Sequence, residues 1–416
     1  MDIGQLELLD VLVQQRSFKK AARQCFVTTS TLARQVTAME AELGFPIFTR
    51  SAHGIVLTEQ GEIFYRETRE LVRAYKAAVD SGRSADRDHR TVRAETDSSG
   101  GNQLEAMKRL SRAEYEQLFS DFGSQVGDTY SLLFPSAADF RLPQRKPVSH
   151  KYSYGRALII AGSVGFSGAP VLAANACERS GAGLTHLVVP DAIYPITASR
   201  CDGAVVTPLQ SAEGGSLSMH ALDRLLPLLE RASACVIGPG LGLGDDSETI
   251  VAEVIRSAKC PLVLDADALT ICGRTPGLLS SCRSPLILTP HEGEFRRLGG
   301  DLSGGRLAGA LSFCAAHGEV ILILKGHGTL VCRGGEVSVN PTGSPAMAKG
   351  GSGDVLCGIL CALLAQGFDP LFSSRCAVFL HGLAGDLARD ALGEYCVTPS
   401  DLVRFLPGAF RQLTES

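Results

Sequence analysis

The chain has 416 residues, 45% of them hydrophobic, and a formal net charge of −4. That length calls for two domains and that apolar content builds full cores. No run of about eighteen apolar residues occurs, and the opening MDIGQLELLD carries acids where an export signal carries bases, so a cytoplasmic protein with no membrane contact is expected. The thirteen cysteines are scattered without a CxxC pair. They read as reduced thiols, and no metal site is expected from side-chain spacing.

The first elements are helical. Ser17–Phe26 (SFKKAARQCF) opens on a serine suited to cap a helix, and Ala21 and Ala22 allow close helix contact. Val27–Leu43 (VTTSTLARQVTAMEAEL) follows at once, with Leu32, Val36 and Met39 on one face. Its hydroxyl-rich start suits contacts to phosphates and bases. Six Lys/Arg stand against two acids between Arg16 and Arg50, an excess that fits DNA. A helical bundle used only for dimerisation fits the spacing equally well. The segments SFKKAA, STLARQVTAMEAELG, PIFTR and VLTEQG, in that order, resemble the winged helix-turn-helix of LysR-type regulators over residues 1–75. The resemblance implies that Thr28, Thr29, Ser30, Thr31, Arg34 and Gln35 lie toward the major groove and Arg50 near the backbone at the wing. It also implies duplex DNA as a partner and a homo-oligomer. The effector domain of that family does not follow, so effector-controlled transcription is not carried over.

Ser81–Gln103 is polar and reads as a linker. Leu104–Phe122 has the spacing of an amphipathic helix, and 123–149 is irregular. The expected organisation is a small all-α winged module at 1–80, a linker with one helix at 81–149, and an enzyme domain at 150–416. In that last part ALIIA, LTHLVVP, ACVIG, PLVLD, PLILTP and VILILK are short apolar runs, most of them separated by helix-length segments. This pattern predicts an α/β domain, a mostly parallel sheet covered by helices on both faces.

The chemistry-bearing stretches fall after those runs. VIGPGLG and LKGHGT supply glycine-rich turns, LDADAL two acids, and TPHEGEF a histidine with two glutamates. In open α/β sheets ligands bind beyond the carboxyl ends of the strands, so these turns are expected to converge. His291 taken alone reads as a structural histidine. In NPTGSPAMAKGGSGDVLCGIL, Gly350, Gly351 and Gly353 free the backbone to curl, and Asp354 then opens a helix. Backbone N–H groups and the helix dipole make an anion cradle there, with Asp354 placed as a general base; the plain alternative is a glycine turn with Asp354 as helix cap. A side chain at Gly353 is expected to force a disfavoured φ.

These motifs, with YGRALIIAGSVGFSGAP before them and FLHGLAGDLA after, resemble the ribokinase-like superfamily. Over about 150–412 they closely resemble ADP-dependent (S)-NAD(P)H-hydrate dehydratase. Ala346 stands where glycine is expected. The resemblance implies that Ala169, Gly240, His291 and Asp354 line a site for hydrated NADH or NADPH. Lys325, Gly326, His327, Gly328 and Thr329, with Gly353, hold the adenine nucleotide. It further implies ADP as co-substrate, with Mg²⁺ held by nucleotide oxygens and water, and Asp354 as catalytic base. Two rivals remain at this point: a ribokinase-like kinase for a small alcohol, and a transcription regulator whose second domain senses nucleotides. The epimerase domain often found ahead of this enzyme family is not in this sequence; the helix-turn-helix stands there.

Overall fold

The computed structural model describes residues 130–414 without a break, the strand at 91–94, and parts of 12–68. The chain divides into two units, Met1–Asp88 and His89–Ser416.

In the first unit Ser17 opens helix α1 (Phe18–Gln24), its Oγ accepting from Lys20 N at 3.4 Å. Ala21 and Ala22 are buried with Leu12, Leu32, Val36 and Ile55, and Met39 is buried with Ile47. The face read as apolar turns inward. Strands β1 (Phe48–Ser51) and β2 (Gly54–Leu57) pair antiparallel, Phe48 opposite Leu57. The expected all-α module therefore includes a two-stranded hairpin, where a wing belongs. Glu40 Oε1 accepts from the backbone of Ile47 at 2.8 Å and Phe48 at 3.2 Å, tying the helical stretch to the hairpin. Arg50 stands on β1 opposite Ile55. Thr28, Thr29, Ser30, Thr31, Arg34 and Gln35 lie outside the described residues, as does the expected helix Leu104–Phe122.

The second unit is built on one sheet. Its strands are β3 (Thr91–Ala94), β4 (Tyr130–Leu133), β5 (Arg156–Ile160), β6 (Leu184–Pro190), β7 (Val205–Leu209), β8 (Ala234–Ile237), β9 (Leu262–Leu264), β10 (Leu286–Leu288), β11 (Ile321–Leu324), β12 (Leu330–Arg333) and β13 (Glu336–Val339), in the spatial order 3-4-13-12-11-10-9-8-5-6-7. From β11 across to β7 every neighbouring pair is parallel. β12 and β13 form an antiparallel hairpin that adds on beside β11, and β4 joins β13 in parallel. The sheet therefore takes in residues well before 150, including a strand inside the stretch read as a linker. β4 carries one fully buried residue, Leu132, in four, too little for an apolar run to show.

The helices are α2 (Gly168–Arg179), α3 (Tyr194–Ala198), α4 (Leu222–Glu230), α5 (Asp245–Ser257), α6 (Asp267–Arg274), α7 (Glu292–Arg297), α8 (Gly305–His317), α9 (Ser352–Ala365), α10 (Pro370–Leu392) and α11 (Pro399–Thr414). Strand alternation feeds two cores. Ala234 and Val236 of β8 face α2, α9, α10 and α11, while Cys235 and Ile237 face α4, α5, α6 and α8. Helix α9 is buried along its whole length from Val355 to Ala365. It crosses α2 closely: a Cβ at Gly358 would run into the Ala173 carbonyl and lie 2.8 Å from Ala176 Cβ. Among the described residues every cysteine is a free thiol, most of them buried, and no helix is long and apolar enough to cross a membrane.

Candidate active site

The strand order reverses between β5 and β8: β5 leads to β6 on one side and β8 to β9 on the other. A crevice is expected at such a switch point, beyond the carboxyl ends of the strands. The turns after the two strands are hydrogen-bonded together there, Gly162 N to the Pro239 carbonyl at 2.9 Å and Ser163 Oγ to the Gly240 carbonyl at 2.8 Å.

Next along the sheet, β9, β10 and β11 deliver one polar group each. Asp265 follows β9 and is buried; its Oδ1 accepts from Thr289 Oγ1 at 2.6 Å and from Lys325 Nζ at 2.7 Å. Lys325 follows β11 and also lies 3.8 Å from Glu294, another buried carboxylate. Burial opposes both charges of the central pair, but the Lys325 ammonium overrides it and holds Asp265 below the usual carboxylate range. Desolvation is likewise outweighed at Lys325 by Asp265 and Glu294, and its pKa is raised. The ion pair is therefore fully charged.

The GGSG loop enters directly above this pair. Gly351 has φ +99°, a left-handed conformation that favours glycine. Gly353 does not: it sits in the first turn of α9 with no positive φ, contrary to the expectation of backbone strain. What a side chain would meet there is crowding: a Cβ would stand 3.3 Å from Lys325 Nζ, and the ammonium would have to give by a few tenths of an ångström. Asp354 follows, partly buried. Burial first, then the negative charge of Asp265, pushes its carboxyl up to about 7, with Lys325 pulling the other way. A carboxyl poised there can be ionised at neutral pH and still take a proton.

The nucleotide candidates share one cavity of about 360 Å³. Lys325, Gly326, His327, Gly328, Thr329 and Gly353 all line it. Thr329 Oγ1 closes that loop on itself, donating to the Gly326 carbonyl at 2.9 Å. Arg306 of α8 braces it from behind, donating to the Leu324 carbonyl at 3.0 Å and to that of His327. The hydrate candidates are less gathered. Gly240, with φ +60°, and Ala169 are neighbours: a Cβ at Gly240 would stand 3.4 Å from Ala169 Cβ and 2.8 Å from Phe166 Cβ. His291 is the N-cap of α7. Its Nδ1 accepts from Gly293 N at 3.0 Å and Glu294 N at 3.2 Å, and Glu294 Oε2 accepts from His291 N at 2.9 Å. Its side chain is 55% exposed, so it combines the structural role with an open edge.

A family model described as NAD(P)H-hydrate dehydratase matches residues 157–407. The chain belongs to the NAD(P)H-hydrate dehydratase family. Residues 3–62 match a second model, bacterial regulatory helix-turn-helix proteins of the lysR family. Over 279 residues the chain is 38% identical to the bifunctional NAD(P)H-hydrate repair enzyme Nnr of Moorella thermoacetica, covering 66% of this chain and 53% of that one. The Nnr of Gloeobacter violaceus is 40% identical over 258 residues, 61% of this chain and 49% of its own. The chain thus spans about half the length of the curated relatives it matches. Among solved structures it is similar to the ADP/ATP-dependent NAD(P)H-hydrate dehydratase of Bacillus subtilis co-crystallised with ATP/Mg²⁺ (TM-score 0.59, 31% identity, 67% of this chain and 98% of that one). A ribokinase-like protein of Enterococcus faecalis aligns with TM-score 0.61 at 29% identity, covering 68% of this chain and 97% of that one.

Within this dehydratase-family domain, several lining residues were not singled out from the motifs that contain them. Asn340, Thr342 and Ser344 border the cavity, held from α10 by Asp386, whose Oδ2 accepts from Gly343 N at 2.8 Å, and by the Phe379 carbonyl, which accepts from Thr342 Oγ1 at 2.9 Å. His381 of α10 lines it too, and desolvation lowers its pKa to about 4. No cluster of three His, Cys, Asp or Glu side chains that could hold a metal occurs among the described residues. With Asp265 engaged by Lys325 and Thr289, a Mg²⁺ here fits as an ion carried by nucleotide phosphates.

Proposed function

We propose that this chain repairs hydrated nicotinamide nucleotides, converting the S epimer of hydrated NADH or NADPH to NADH or NADPH while ADP is split to AMP and phosphate. The observation that carries the reading is Asp354, a carboxyl pushed up to about 7 that follows Gly353, a residue of the cavity lining, and feels the charge of Lys325. The substrate's hydroxyl sits on a carbon next to the ring nitrogen, and hydroxide is a poor leaving group. Asp354 takes the hydroxyl proton as the oxygen attacks the terminal phosphorus of ADP, and AMP departs with the electrons of the broken P–O bond. Lys325 and the N–H groups at the head of α9 meet the charge on the transferring group. The ring nitrogen's lone pair then expels phosphate, breaking the C–O bond, and loss of a proton from the neighbouring carbon restores the dihydropyridine. Mg²⁺ bridging the nucleotide oxygens would add to that charge neutralisation. Ala169, Gly240 and His291 border the hydrate, and Lys325–Thr329 with Gly353 hold the nucleotide.

The test is turnover of hydrated NADH by the full chain with ADP and ATP in parallel, followed through the absorbance of the reduced nicotinamide. Recovery of NADH with stoichiometric AMP supports the reading. A phosphorylated small alcohol, with no NADH formed, would point to the kinase instead. For the first unit we propose duplex DNA binding by a cytoplasmic homo-oligomer, with Thr28, Thr29, Ser30, Thr31, Arg34 and Gln35 toward the major groove and Arg50 at the backbone. The lysR-family match at 3–62 supports it.

A further inference from the structure

One buried carboxylate ties together the ends of three neighbouring strands. Asp265 ends β9; its Oδ1 takes hydrogen bonds from Thr289 after β10 and from Lys325 after β11. The thiol of Cys357, one turn into α9, is fully buried. Cys357 lies four residues beyond Gly353, on the face of α9 that carries the loop's last glycine. Asp265 therefore fixes where the Lys325 ammonium stands, and that ammonium stands against the first turn of α9. The clearance is small. A Cβ at Gly353 would be 3.3 Å from Lys325 Nζ and 4.0 Å from Asp265 Oδ2. The other titratable groups facing this pair are Glu294 from α7, Asp354 from α9 and His381 from α10.

We propose that Asp265 is a positioning residue for phosphoryl transfer: it anchors the Lys325 ammonium under the Gly353 turn, so that lysine and base address the transferring group from fixed places. This rests on the function proposed above. Without Asp265 a lysine has four rotatable carbons and a second carboxylate, Glu294, to swing toward. In-line transfer tolerates little misplacement, and shifts of about 1 Å are enough to cost roughly 100-fold.

Two variants separate placement from charge. Asp265→Glu keeps the charge but moves it by a methylene. We expect kcat to fall at least tenfold with the acid limb of the pH profile in place, KM for the hydrate within threefold, and ADP and AMP binding weakened about tenfold by calorimetry. Asp265→Asn keeps the shape but removes the like charge beside Asp354. It should lose kcat similarly and move the acid limb of kcat/KM down by about one pH unit. A wild-type kcat in Asp265→Glu, or an Asp265→Asn profile with an unmoved acid limb, overturns the proposal; should the neutral variant not fold, the Glu variant decides alone. If the wild-type chain binds AMP but does not consume the hydrate, the dehydratase reading fails, while calorimetry still tests the placement of Lys325: unchanged AMP affinity in Asp265→Glu overturns it.

Discussion

Replacing Asp354 with asparagine should make the protein both inactive and more stable, and the two effects come from one cause. The carboxyl sits partly buried, near Asp265, with its pKa moved from an ordinary 3.8 to about 7. A tenfold change in proton affinity is about 1.4 kcal/mol, so the displacement corresponds to roughly 4 kcal/mol, an upper bound because the carboxyl keeps some contact with water. The folded state holds this proton more tightly than the unfolded chain does. Stability is therefore lost as pH rises from about 4 to about 7, and above that the whole penalty is in place. Asp354→Asn removes the penalty. At pH 8 its melting temperature should exceed wild type by about 4 °C or more, and at pH 4 the two should melt together. Activity runs the other way. About one-tenth of Asp354 is ionised at pH 6 and about nine-tenths at pH 8, so wild-type kcat/KM should rise roughly tenfold across that interval. The asparagine variant should lose about 10²–10⁴ in rate at pH 8. Calorimetric melts at three pH values, alongside initial rates of NADH recovery, test both halves. Equal melting at pH 8, or activity within threefold of wild type, would refute the placement of Asp354 as a strained base.

Gly353→Val should weaken AMP binding by tenfold or more by calorimetry, because its Cβ would stand 3.3 Å from Lys325 Nζ and crowd the ammonium, while the α-helical conformation of the position lets the fold survive. Ala266, at φ +49° the one non-glycine residue with positive φ among those described, follows Asp265 directly; Ala266→Gly should leave the fold intact and stabilise it by about 1 kcal/mol in denaturant melts, since the strain outweighs the flexibility gained. Full-length protein should bind duplex DNA with a steep salt dependence, and Arg34→Ala should lose about 1–3 kcal/mol of specific binding if it reads a base edge; selection of genomic fragments that returns nothing over random DNA at physiological salt removes that role.

Six strands were legible because each is an apolar run buried on both faces, as in the four consecutive buried residues of β8 and β11. The strands that were not legible are edge or add-on strands. β7 contains Pro208 and an exposed Val205, and β13 begins on an exposed Glu336. β7 ends the sheet with one neighbour, while β13 lies between β12 and β4 but mixes a glutamate and a serine into four residues, so composition records little of either. The glycine-rich turns announced the crevice because they must follow strands. His381 was not singled out, because FLHGLAGDLA marked its segment as a whole and the histidine sits within a helix that packs on the core. Arg306 was hidden for the same reason, lying within a helix that otherwise packs on the core. His291 read in isolation as structural, and its ring does cap α7 through Nδ1 and approaches Glu294 through Nε2 at 3.5 Å, yet more than half of the side chain stays exposed.

The close crossing of α2 and α9 carries a further meaning. Ala169 is in the opening turn of one helix, and Gly353 and Asp354 are in the opening turn of the other. Past those turns the helices lock at Gly358 against Ala173, Ala176 and Cys177, with no room for a methyl group between them. Under the proposed function, the spacing between the turn that borders the hydrate and the turn that holds the nucleotide is thereby written into close-packed backbone. Two reactants held at those turns would find their separation already set by the interior.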